Sequence, residues 1–367
     1  MSSDAVHRAC FRLTALPLVA LGALAACTSN LAEAVDGGGA DEQDQGDEAA
    51  DTESDTESES DTGTTEDTSS ETAEDTSSET GEPDSIRVVF FADTHVVGPT
   101  YQGDDPTLLG AETQLDVVRW ELEQFDPAPD LAILLGDIVH GAYPSQDAAY
   151  YQNNPNAFAI ADELLEGFPC PVYPVFGDND YDVPDVPQAF SHTLFAQFFA
   201  KDPYYAFEAG GWRFVVTNGS SGTTFQPQAV DFDPSIGSYG EAQLNWVADQ
   251  LDDGIPTVLT SHFPMNRTAL DETETPGATD MATLLTTNTG SLELIFAGHG
   301  ELWSTIPDEY GAPMYQVGAT RYDTDNFLLV EFFPDGSYEL LDIDKVQWNT
   351  PNADHWDYSN GTPVPAE

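Results

Sequence analysis

The sequence predicts an α/β fold, with one large domain over residues 86–345, and three observations carry that reading. β-Prone apolar runs alternate with segments of helical spacing, each run ends in polar residues rich in Gly, Asp and His, and the composition changes abruptly after Pro83. The first run, Ile86-Arg87-Val88-Val89-Phe90-Phe91-Ala92, reads as a buried strand and leads into Asp93-Thr94-His95. Leu115, Val118, Leu122 and Phe125 share one face of a helix. Leu131 to Leu135 is a second buried strand ending in Gly136-Asp137, Ala157 to Leu165 is a second helix, and Val172 to Phe176 is a third strand ending in Gly177-Asp178-Asn179-Asp180. The 44 residues from Asp93 to Asp137 and the 41 from Asp137 to Asp178 each suit a strand, a crossover helix and the next parallel strand. Right-handed crossovers would then bring all three polar tips to one edge of a sheet, where sites in such sheets form.

The second half is richer in strands: Tyr204–Glu208, Trp212–Thr217, Thr257–Thr260, Leu292–Phe296, Met314–Val317, Phe327–Phe333 and Ser337–Ile343. Asp335-Gly336 marks the last hairpin. Tyr239 to Leu251 reads as an amphipathic helix through Leu244, Val247 and Leu251. Two more imidazoles fall just past strands, His262 in Ser261-His262-Phe263-Pro264 and His299 in Gly298-His299-Gly300-Glu301. Residues 346–367 read as a polar, partly ordered tail.

Charge excludes a nucleic-acid-binding surface. The 367 residues hold 9 Lys+Arg against 66 Asp+Glu, a formal charge of −57, and residues 86–367 alone carry −37, so a polyanion is repelled. Of the three cysteines, Cys10 and Cys27 lie in or beside a leader, which leaves Cys170 between two prolines as a buried filler with no disulfide framework. The leader has a basic start at Arg8 and Arg12 and an apolar stretch of 14 residues from Leu13 to Ala26, too short to span a bilayer. Residues 1–26 therefore read as a signal peptide. Leu24-Ala25-Ala26-Cys27 resembles a bacterial lipobox, which implies lipid attachment at Cys27 and a protein anchored to a membrane without crossing it. Thr28 follows Cys27 where many inner-membrane lipoproteins carry aspartate, so the expected location is the cell envelope, at the outer membrane or cell surface. Residues 27–85 hold 21 acidic side chains, no Lys or Arg and a near-repeat at Glu66–Thr72 and Glu74–Thr80; such a segment reads as a disordered, solvated tether.

Five strand ends supply Asp93, His95, Asp137, Asp178, His262, His299 and Glu301, and carboxylate oxygens with imidazole nitrogens suit hard or borderline divalent metals. Seven such residues are enough for two ions. Their order, Asp-x-His, then Gly-Asp, then Gly-Asp-Asn-Asp, then a histidine, then Gly-His-x-Glu, resembles the calcineurin-like metallophosphoesterases. The likeness covers about residues 86–345 and includes Gly240-Glu241-Ala242-Gln243-Leu244-Asn245-Trp246. It implies a four-layer α/β/β/α sandwich and two metal ions, manganese, iron, zinc or similar. Asp93, His95 and Asp137 would hold the first ion, and Asp137 would bridge to a second held by His262 and His299. The implied activity is hydrolysis of small phosphate mono- or diesters by a hydroxide between the metals.

Three positions depart from the family pattern. Asp178 stands where the family has a ligating asparagine, Asn179 where it has the histidine that assists the leaving group, and Glu301 where it has a final histidine. A one-residue slip would make Asn179 the ligand; the preserved chain length after Gly177 favours Asp178. An amide cannot act as a proton donor of that kind, and Asp180 would be the residue that orients position 179. Asp178 and Glu301 also move the net charge of a cage with two divalent ions and a hydroxide from about +1 to about −1. The sequence thus carries two functions, a membrane-anchored phosphoesterase and a catalytically impaired binding protein at the cell surface that keeps the cage. Arg267, five residues past His262, is the candidate contact for substrate phosphate, and His140 a candidate neighbour of the cage, while His192 and His355 match no motif.

Overall fold

The computed structural model describes residues 85–268, 280–287, 290–307, 310–341, 343, 356–357 and 362–363. The leader, Cys27, the acidic tether and His355 lie outside the described residues. In chain order the first half runs β1 (Ile86–Phe91), β2 (Val96–Val97), α1 (Pro106–Leu109), α2 (Ala111–Leu122), β3 (Leu131–Leu134), β4 (Val139–His140), α3 (Ala148–Asn153), α4 (Ala157–Glu166), β5 (Val172–Pro174) and α5 (Gln188–Phe199). The second half runs β6 (Tyr205–Ala209), β7 (Trp212–Val216), α6 (Glu241–Gln250), β8 (Thr257–Ser261), α7 (Met281–Thr287), β9 (Leu292–Ala297), β10 (Ser304–Ile306), β11 (Met314–Gln316), β12 (Phe327–Phe332) and β13 (Tyr338–Leu341). A short antiparallel pair, β14 (Trp356–Asp357) and β15 (Thr362–Pro363), lies in the tail.

Two sheets hold the strands, one in the order β13-β12-β1-β3-β5 and the other β10-β11-β9-β8-β7-β6. β1, β3 and β5 are parallel, as the two βαβ spacings require, and β7, β8, β9 and β11 are parallel in the second sheet. Strand alternation sends successive side chains to opposite faces, and the three hydrophobic clusters follow from it. Val89, Phe91, Ala132 and Leu134 pack outward against Leu115, Val118 and Leu122 of α2, Phe158 and Leu165 of α4 and Leu194 of α5. Val88, Phe90 and Ile133 face the other way and meet Phe214, Val216, Val258 and Phe296 between the sheets. Phe90 stacks on Phe296 with ring centroids 3.8 Å apart. Val215, Leu259 and Ile295 turn from that interface toward Leu244 and Val247 of α6 and Met281, Leu284 and Leu285 of α7. Three interfaces between layers make the α/β/β/α sandwich that the resemblance implied. Each fully buried Phe or Leu contributes about 1.5–3 kcal/mol, so all three interfaces are needed to hold four layers together.

The sequence reading missed α1, α3, α5 and α7 and the short strands β2, β4 and β10. α5 is apolar on most sides, with Leu194 and Phe195 buried and Phe198 and Phe199 half-buried, so it lacks a polar stripe from which to read a helical period. Asn156 caps α4, accepting from the Ala159 amide at 3.0 Å.

His192 on α5 is half-buried against the rings of Phe176 and Tyr181. Its Nε2 accepts from the Tyr181 hydroxyl at 2.8 Å, and that hydroxyl accepts from the Asn218 amide at 2.7 Å, so the neutral ring completes the chain of bonds. Burial pushes its pKa down to about 4 from the usual 6.5. A depressed pKa means that the unfolded state binds the extra proton first, so this contribution is complete above pH 6.5 and is lost as the pH falls toward 4. The loss reaches at most about 3 kcal/mol. Asp162, pushed up to about 6 by burial and by Glu166, acts with the opposite sign in part of that window. The expected result is that denaturant unfolding of wild type and His192→Gln between pH 4 and 7 shows a steeper acid decline in wild type; parallel curves would contradict it.

Candidate metal centre

The site lies where the carboxyl ends of β1, β3 and β5 meet those of β8 and β9. Asp93 and His95 follow β1, and their backbones are stitched to the turn after β3 by Asp93 N to Gly136 O at 3.0 Å and His95 N to Asp137 O at 2.8 Å. His262 follows β8, and its carbonyl accepts from Gly298 N at 3.0 Å, which ties it to the His299 turn. Five of the seven candidate residues, Asp93, His95, Asp137, His299 and Glu301, have positive φ between 48° and 63°. Only one other non-glycine described residue, Ala200, shares that conformation. Left-handed backbone is costly for residues with a Cβ, and its concentration here is strain held at one place by the surrounding sheet.

Glycine is required beside these residues for contact. A Cβ at Gly177 would stand 2.3 Å from Asp137 Oδ1, and one at Gly136, itself at φ +89°, would stand 2.6 Å from His262 Nδ1.

Two groups of side chains converge: Asp93, His95 and Asp137, and Asp178, His262 and His299, the ligand atoms of each within 4.8 Å of one another. Asp137 stands between them. Its Oδ2 is 3.3 Å from His95 Nε2 and its Oδ1 is 3.4 Å from His262 Nε2. Asp178 Oδ1 is 2.9 Å from both His262 Nε2 and His299 Nδ1, and the Asn179 side chain lies beside it, 2.8 Å from Asp137 Oδ2. His262 Nδ1 donates to the Leu135 carbonyl at 2.8 Å, fixing the tautomer that leaves Nε2 as a ligand atom.

The residues fit a pair of metal ions on the chemistry of the donors themselves. Asp93 Oδ1 and His95 Nε2 are buried and lack a hydrogen-bond partner, an arrangement that costs free energy unless a cation meets them. Burial pushes the Asp93 carboxyl well above the usual range, against the pull of His262. Burial opposes charge on Asp137 too, yet His262, His95 and His299 outweigh it and hold that carboxyl far below the usual range. Burial disfavours a charged His262, but Asp137 and Asp178 draw its pKa well up. The cluster attracts positive charge.

Glu301, after β9, brings its Oε1 within 3.4 Å of His95 Nε2. His140 Nδ1 is 3.4 Å from His95 Nδ1, and burial, His95 and Arg321 lower its pKa. Asn179 donates from its backbone to Asp137 Oδ1 and from Nδ2 to Asp137 Oδ2, both at 2.8 Å. Asp180 is buried and accepts from the amides of Val139 at 2.9 Å and Gly177 at 2.8 Å. Burial and Asp137 push its pKa up to about 8. It braces the two loops that carry Asp137 and Asp178. Arg267 is exposed on a short turn, where its carbonyl accepts from Gly237 N at 2.9 Å.

The sequence reading missed Arg321 and Tyr322. Thr320 N bonds to Ala92 O at 2.9 Å and Ala319 bridges to Ala92, so the chain after β11 runs beside the end of β1 and delivers Arg321 to Glu301. The available signal was position: Arg321 lies just past a strand, as the ligands do, and is one of seven basic residues in 86–367.

The family model for calcineurin-like phosphoesterases matches residues 86–300. The chain belongs to that family. This metallophosphoesterase resembles solved structures only distantly. A dimetal phosphatase from Danio rerio is 16% identical, with 68% of this chain and 93% of that one covered at a TM-score of 0.46. A purple acid phosphatase from yellow lupin (Lupinus luteus) seeds is 13% identical, covering 76% and 52% at 0.41. GAP50, the anchor in the inner membrane complex of Plasmodium, is 12% identical, covering 77% and 98% at 0.44. No curated protein sequence matches the chain. Family membership rests on the match over 86–300, and with the two ligand groups it makes the metallophosphoesterase a metal-dependent phosphoester hydrolase in kind.

Proposed function

We propose that the protein hydrolyses small phosphate esters whose leaving groups depart without a proton, and does so at the cell envelope on a lipid anchor. The observation that carries the chemistry is the pair of ligand groups meeting at Asp137, with buried Asp93 Oδ1 and His95 Nε2 lacking a hydrogen-bond partner. Asp93, His95, Asp137 and Glu301 would hold one ion and Asp137, Asp178, His262 and His299 the other. Bound divalent ions would supply charge stabilisation at the phosphoryl oxygens and activation of the attacking water. The protein's part is to hold that cage rigid, through strained turns, close glycines and the His262 bond to Leu135.

Asn179 limits the leaving group. Its amide is engaged with Asp137 and can donate a hydrogen bond but not transfer a proton at neutral pH. The same amide favours a second reading, a binding protein that keeps the cage without turnover. Release of nitrophenolate from an activated aryl phosphodiester by the full chain with added manganese separates the two. Turnover that depends on manganese is expected; metal binding without turnover would establish the second reading.

The anchor rests on Leu24-Ala25-Ala26-Cys27 after a short apolar leader. Labelled fatty acid should enter wild type and not Cys27→Ala, with the variant released to the soluble fraction; equal labelling of both would sink the idea. An extended tether over residues 27–85 would hold the domain off the membrane surface.

A further inference from the structure

Glu301 places a carboxylate where a neutral imidazole would leave the cage less negative, and the structure sets a cation directly against it. Arg321 Nη2 donates to Glu301 Oε1 at 2.5 Å and lies 2.7 Å from the Tyr322 hydroxyl, which in turn donates to Glu301 Oε2 at 3.1 Å. The guanidinium carbon stands 4.6 Å from the Tyr322 ring centroid. Arg321 is largely buried, and its backbone is fixed by the bonds of residues 319–321 to Ala92 and Asp93. Its Nε is buried with no hydrogen-bond partner, an unusual state for a guanidinium that otherwise makes two bonds at Nη2.

We propose that Arg321 sets the charge of the metal cage, and that the Glu301–Arg321 pair is what lets a cage with four carboxylates accept a phosphate anion. The inference rests on the phosphoesterase reading above. Two divalent cations, a hydroxide and the carboxylates of Asp93, Asp137, Asp178 and Glu301 net about −1, so without Arg321 the cage repels an anionic substrate. Arg321 brings that charge to about zero beside the first ligand group. The same charge opposes the metal, because it draws density from the Glu301 oxygen that also faces His95 Nε2. Arg321 therefore acts in opposite directions on the two ligands: it weakens the hold on cations and strengthens the hold on phosphate. A purely structural arginine would support both or neither.

The test titrates the full chain with Mn²⁺ alone, and then the manganese-loaded chain with inorganic phosphate, in wild type, Arg321→Met and Arg321→Met with Glu301→Gln. Methionine keeps much of the apolar stem, and Tyr322 continues to hold Glu301 in place. Arg321→Met should bind manganese about tenfold more tightly and phosphate at least about tenfold more weakly, the scale of losing one unit charge a few ångströms away in a partly solvated site. The double variant, with the carboxylate neutralised as well, should recover most of the phosphate affinity. Both affinities falling together in Arg321→Met, or neither changing, would overturn the proposal while leaving the phosphoesterase reading in place. Failure of wild type to bind manganese at all would overturn both. Thermal unfolding of each variant shows whether the titrated protein is folded, and Arg321→Lys, which keeps charge but not the fork, should retain more phosphate affinity than Met if charge is the cause.

Discussion

Asp137→Asn is expected to lower the metal-to-protein ratio more than a change at any other ligand and to reduce turnover by about 10³-fold or more. Among the described residues, Asp137 is the one carboxylate within 3.4 Å of an imidazole from each ligand group, Oδ2 toward His95 and Oδ1 toward His262. It also accepts two bonds from Asn179, so its geometry is fixed before any ion arrives. Asparagine keeps the shape but halves the oxygen count and removes the charge that both ions share. A loss of charge stabilisation worth several kcal/mol at the reacting phosphoryl group corresponds to that factor at 1.36 kcal/mol per decade. His299→Ala, which removes a ligand from the second group alone, should leave a larger fraction of the metal bound. Equal losses in the two variants would mean that Asp137 does not serve both groups.

Asn179→His is expected to raise the rate on alkyl phosphate esters selectively, by about 10²-fold, with little change on aryl esters. A positioned general acid supplies about 10²–10⁴, and an alkoxide needs that proton where a phenolate does not. The structure sets the lower end of the range. Asp180, the neighbour expected to orient a new imidazole, has its carboxylate engaged by the Val139 and Gly177 amides, so the ring would be held without its help. Steady-state kinetics on one aryl and one alkyl ester decide the matter. Full alkyl-ester activity in wild type would show that position 179 does not limit the leaving group.

Most of the first half of the fold was legible in the sequence because its signals agree across levels. Val88 to Phe91 is buried on both faces, so it reads as one continuous apolar run, and its polar tip is where the chain leaves the sheet. The same logic placed Asp137 and Asp178, since parallel strands with helical crossovers must end at one edge. His262 and His299 were legible for the same reason, each falling directly after a strand of the second sheet. Arg321 was not, because its place depends on the bridge between Ala319 and Ala92, a contact across 227 positions of chain that no local pattern encodes. Asp180 was legible as a residue but not in its role: sequence order suggested a partner for position 179, whereas burial and two backbone donors make it a brace between loops. The helices α5 and α7 were hidden by composition, one because it is apolar nearly all round and the other because it is only seven residues long.

Asp93, His95 and Asp137 on one side and Asp178, His262 and His299 on the other would hold two ions. Elemental analysis of the full chain, purified after supplementation with manganese, iron or zinc and passed through a desalting column, measures this directly. Close to two metal ions per chain are expected in wild type, with a marked fall in Asp137→Asn. Wild type that emerges without metal under every supplement, while remaining folded, would contradict it.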